Sequence, residues 1–107
     1  METCENKVYE NKVIDVTNSS INEYKNCIFK SCSFEDSSDI YTKKNIIHFS
    51  GCVFDDCFFE KCYVTISYSN LSNCFFRDVN IDKLDCCNIN NLKFLVHYGI
   101  KHIPCYT

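Results

Sequence analysis

Large apolar residues return every five positions through the middle of the chain: Phe29 and Phe34, then Phe49, Phe54, Phe59 and Val64. Two positions before each stands a cysteine or an isoleucine: Cys27, Cys32, Ile47, Cys52, Cys57 and Cys62. A helix repeats its buried face about every 3.6 residues and a strand about every two. A period of five matches neither. It suits a coiling solenoid, in which each unit turns a corner and buries its apolar residues against the units above and below.

The units read CIFKS (27–31), CSFED (32–36), IHFSG (47–51), CVFDD (52–56), CFFEK (57–61) and CYVTI (62–66), with a poor fit over 37–46. The frame then moves by two, so that SNLSN, CFFRD and VNIDK centre on Leu71, Phe76 and Ile81. A further move of three centres CNINN and LKFLV on Ile89 and Phe94. Small insertions at a corner bulge outward without disturbing the stack. Four sides of five residues predict a coil of about 20 residues and roughly five coils. Residues 1–21 read as an irregular N-terminal coil or cap, 22–96 as the solenoid, and 97–107 as a C-terminal cap or dimer segment.

These units resemble the pentapeptide-repeat family, whose repeat is roughly Ala-Asp/Asn-Leu-x-x. Here Cys takes the Ala position and Phe often takes the Leu position; SNLSN and CNINN come nearest to the family form. The resemblance implies an all-β fold, a right-handed quadrilateral β-helix. Some members look like duplex DNA in shape and charge and bind DNA gyrase or other nucleic-acid enzymes. By resemblance, the chain is expected to be a small protein-binding inhibitor, a DNA mimic, and a homodimer.

Charge and composition narrow the classes. A formal charge of −3, from 14 acidic and 11 basic residues, disfavours direct nucleic-acid binding. Apolar runs are too short to span a membrane. Ten cysteines would mark a disulfide scaffold in a secreted protein. The opening METCENKVYENK lacks a secretory pattern, however, and six cysteines follow the repeat. They read as small buried hydrophobes in a reducing cytoplasm. A short chain rich in Asn, Lys and Ile suits a phage or viral protein.

Stacking residue i on i+20, and on i+22 across the frame shift, defines the surface. It predicts a column of Asp36, Asp56 and Asp78, a second of Glu35, Asp55 and Arg77, and pairs of Glu60 with Asp82 and Lys61 with Lys83. Glu35, Asp36, Asp55, Asp56, Glu60, Asp78 and Asp82 are therefore the candidate partner-binding residues. Ile28, Val53, Phe58, Tyr63 and Phe75 should face outward, with Val53 stacked on Phe75. Phe58, Phe75, Tyr63, Tyr98 and Ile103 are the candidate self-association residues.

No catalytic or cofactor-binding residue is expected. His48 should face out while the repeat cysteines face in, which separates any thiol from a base. Cys86, Cys87, His97, His102 and Cys105 are the group to consider for zinc, without paired C-x-x-C spacing. Two alternatives to the inhibitor stay open: a structural or self-assembling repeat protein without an enzyme target, and a zinc-binding protein.

Overall fold

The computed structural model describes residues 2–17, 19–38 and 45–98, with the backbone alone for 96–98. The described residues are all-β: twelve strands among them, paired in parallel, wind into a solenoid of five coils, as the five-residue period predicts. Three sides are strand ladders. The first joins β1 (Glu2–Glu5), β4 (Ile21–Lys25), β7 (Ile46–Ser50), β10 (Tyr63–Ser67) and the end of the long β11 (Asn70–Asp85). On the second lie β2 (Val8–Glu10), β5 (Ile28–Lys30), β8 (Val53–Asp55), the start of β11 and the start of β12 (Asn88–Tyr98). The third holds β3 (Val13–Asp15), β6 (Ser33–Glu35), β9 (Phe58–Glu60) and the middles of β11 and β12.

Most of the variation in coil length falls on the fourth side. Tyr9 pairs with Phe29, Phe29 with Phe54, Phe54 with Leu71, and Leu71 with Ile89. Successive coils therefore take 20, 25, 17 and 18 residues. The three ladder sides use about five residues each and the fourth takes most of the difference, while the 18-residue coil gains its extra residue at Asp82, bulged on the first side. The solenoid fits a quadrilateral β-helix in which the fourth side stretches and shrinks. Residues 2–15 form a full coil in register with the next, with a bulge between Glu2 and Thr3, and so are more regular than the sequence suggested. The ladder also continues to Tyr98, past the boundary expected at 96, while 99–107 lie outside the described residues.

Inside, rings stack along the axis. Phe29 lies parallel on Phe54 at 5.2 Å between centroids, and Phe34 on Phe59 at 4.6 Å. Edge contacts such as Phe34–Phe54 tie neighbouring columns into one aromatic core. Edge-to-face pairs add to simple area burial because they set the positive edge of one ring against the negative face of another. Stacking by 20 and then 22 residues would set Phe34, Phe54 and Phe76 in one column; instead Phe34 stacks on Phe59 and then Phe76, and Phe54 belongs to the side beside it.

Corners explain the cysteines. Cys27, Cys52, Ser69 and Cys87 stack at one corner, and Cys32, Cys57 and Cys74 at the next. All six are buried, free thiols. The Cys57 thiol donates to the carbonyl of Phe29 at 3.4 Å and that of Cys52 to Tyr24 at 3.5 Å, each reaching the coil below. A small side chain with a weak donor is what a tight corner beside a carbonyl admits. Cys86 is disulfide-bonded and stands outside this set.

Most of these corners turn on a residue with positive φ. Asn6, Asn26, Gly51, Tyr68 and Cys86 form one such column, and Asn11, Ser31, Asp56, Asn73 and Asn91 another. Lys61 and Asp78 share a third. Asn, Asp and Gly dominate because they tolerate the left-handed region best.

Candidate protein-interaction face

Side chains on the third side alternate in and out, and the outward ones make two columns. The first runs Val13, Ser33, Phe58, Phe75 and Lys93. The second runs Asp15, Glu35, Glu60, Arg77 and Leu95. Three carboxylates thus stand on adjacent strands, about 4.8 Å apart along the axis. Like charges directly opposite are unfavourable in a sheet. Here Arg77 closes the row by pairing with Glu60. Thr17 steadies the other end: its hydroxyl and its backbone N–H, at 2.9 Å, hold the Asp15 carboxyl below its usual range.

The apolar column is partly covered by its own neighbours. Phe58 and Phe75 lie 5.4 Å apart with their planes tilted by 48°. The Arg77 guanidinium sits 5.1 Å over the Phe58 ring, a cation–π contact. Phe75 remains 36% exposed and Leu95 53%. Aromatic rings flanked by an arginine are the composition of interface hot spots.

Coil lengths of 25 and 17 residues, where 20 and 22 were expected, overturn the predicted surface pairs. Asp36 and Asp78 do not stack with Asp56; they flank Lys61, and Asp56 lies at the preceding corner between Ser31 and Asn73. Glu35 meets Glu60, not Asp55, which stands on the second side between Lys30 and Ser72. Glu60 meets Arg77, not Asp82; Lys61 meets Asp78, not Lys83. Asp82 occupies the bulge that breaks register between Val64 and Thr65 on the first side. Val53 packs between Ile28 and Asn70, not on Phe75.

Asp36 is not a surface residue at all, at 3% exposure. Its carboxylate accepts from the Ser38 N–H at 2.9 Å, the Ser38 hydroxyl and the Thr17 hydroxyl. It caps the turn into the fourth side. Of the self-association candidates, Phe58 and Phe75 come together. Tyr63 lies apart on the first side, between Ile46 and Asn80. Tyr98 pairs by its backbone with Asn80, and Ile103 lies outside the described residues. Asp15 and Lys93 were missed because the N-terminal coil looked irregular and the register was wrong. The signal was the five-residue step from Glu10 to Asp15.

His48 faces outward and shares a 2.7 Å hydrogen bond with Thr65, away from the inward thiols. Among the described residues no group of three His, Cys, Asp or Glu side chains is placed to hold a metal, while His102 and Cys105 of the zinc candidates lie outside those residues. No helix among them is long and apolar enough to cross a membrane.

No protein-family model matches the chain, and no curated protein matches its sequence. Among solved structures, QnrB1, a plasmid-mediated fluoroquinolone resistance protein, is similar with a TM-score of 0.57 at 17% identity. The match covers 94% of this chain and 50% of that one. The chain therefore spans about half the length of that protein, and the likeness is one of fold.

Proposed function

We propose that this solenoid is a protein-binding inhibitor that offers a nucleic-acid enzyme carboxylates in place of phosphates. The observation that carries the reading is the row Asp15–Glu35–Glu60, three acids held in line by the ladder of β3, β6 and β9. A duplex presents its partner with closely spaced negative charge along a stiff axis. A stack of coils does the same with a backbone that cannot bend, so little ordering entropy opposes binding. Asp56 and Asp78, exposed at the corners on either side of this face, extend the negative edge. The protein would act in the cytoplasm, without a cofactor.

Competition tests this directly. Labelled duplex DNA bound to a purified type II topoisomerase, polymerase or nuclease should be displaced by the folded protein from at least one of them. The double variant Asp15→Asn, Glu35→Gln should displace it far less, with an unchanged circular-dichroism spectrum. Displacement that is equal for both proteins, or absent with all three enzyme classes, refutes the reading.

A further inference from the structure

We infer that the third side pairs with the same side of a second copy, antiparallel, across a two-fold axis between the third and fourth coils. The face is self-complementary. Its lower coils carry Asp15 and Glu35, its upper coil carries Lys93, and Glu60 and Arg77 meet at the middle. Reversing one copy about an axis along the strands sets coil three against coil four. Phe58 then faces Phe75 of the second copy, and Glu60 faces Arg77 of the second copy. Four rings form the centre, and four charges alternate in sign around a square. Ser33 meets Lys93 of the second copy, and Glu35 meets Leu95 of the second copy at the rim. Such a contact is isologous and closes at two chains.

The other two-fold arrangement, with the axes parallel, sets each coil against itself. It would bury Glu60 against Phe58 and Arg77 against Phe75, with no opposite charge across the contact. That costs desolvation without a pairing gain. The reversed register is therefore the favoured one. Four strands of each copy, about 4.8 Å apart and roughly 15 Å wide, bury on the order of 600 Å² in total, at the small end of interfaces, which makes the association weak and reversible. The first coil of each copy, with Asp15, projects beyond the contact. The contact covers Glu35 and Glu60, so a second copy and the enzyme of the proposed function would compete for this face; the inference itself rests on the Phe58–Phe75 pair and the charge order, not on an enzyme partner.

Sedimentation equilibrium over a concentration series tests it with the full chain. The wild-type mass should rise from one chain towards two. Glu60→Arg alone and Arg77→Glu alone should each stay at one chain, because each sets like charges across the square. An equimolar mixture of those two variants should recover the two-chain species, because every cross-contact is again opposite in sign. Phe75→Ser, with the charges intact, should lose association as well and serves if either charge variant fails to fold. A wild-type protein that stays at one chain overturns the inference. So does association by folded Phe75→Ser equal to wild type, or a mixture of the two folded charge variants that stays at one chain.

Discussion

Gly51 and Asn26 occupy the same corner of successive coils, and the Asn26 amide oxygen fills the space where a Gly51 Cβ would stand. Both residues have positive φ, 64° and 55°. Glycine here is set by two independent demands, the left-handed backbone and the close approach of the coil below. Gly51→Ala meets a penalty of about 1–2 kcal/mol from the backbone alone, and Asn26 must also shift. Urea unfolding should show a loss of about 1–3 kcal/mol with an unchanged m-value.

Tyr68 stands one coil above Gly51 in the same column, with φ of 51° and little cover. A tyrosine gains nothing from that conformation, whereas asparagine tolerates it and already occupies positions 6 and 26. Tyr68→Asn should raise stability by about 0.5–1 kcal/mol. The check is a higher urea midpoint; a lower one would mean that the tyrosine ring has packing that outweighs its backbone cost.

The inward set was legible because it depends only on local order. A cysteine and a ring two residues apart must point the same way, whatever lies above them. Phe29, Phe34, Phe49, Phe54, Phe59 and Phe76 are accordingly all buried. Stacking partners were not legible, since a coil longer by one whole unit keeps every ring inside and changes only which ring meets which. Residues 37–46 hold two weak units in sequence, and nothing local says that this coil is longer by a whole unit. A shift of one unit moves Asp55 out of the Glu35 column and brings Glu60 in, which is why the acidic face was drawn in the wrong place. The corner asparagines were the missed marker. Asn6 and Asn11, or Asn73 and Asp78, repeat at five residues within a coil and restart at each new one.

Phe54 and Phe58 share a segment but not an environment. Phe54 is fully buried, stacked on Phe29 and edged by Phe49 and Phe59. Phe58 faces outward beneath Phe75 and Arg77. Phe54→Ala should cost about 3–5 kcal/mol through lost contacts and a cavity. Phe58→Ala should cost about 1 kcal/mol in the single chain. Thermal unfolding of both variants at low concentration makes the comparison, and equal losses would reverse the inward and outward assignment.

Buried thiols give the fold an alkaline limit. Burial pushes Cys52 up to about 11 and raises Cys27, Cys32 and Cys87 in the same direction. Tyr24, also buried, is pushed up to about 12. An unfolded thiol titrates near about 8.5, so above that pH the unfolded chain has released protons that the folded chain still holds. Stability therefore falls as pH rises. The contribution is intact below about pH 8 and declines through the Cys52 value of about 11. Urea midpoints should be level at and below neutral pH and drop steeply above about pH 9. Cys52→Ser supplies the control, because Ser69 fills the same corner one coil on, accepting from the Cys52 N–H at 3.0 Å and donating to the Ser67 carbonyl at 2.8 Å. A serine at 52 has no proton to lose in this range, so the variant's decline should be shallower than wild type. An identical decline in both proteins would assign the alkaline loss to other groups.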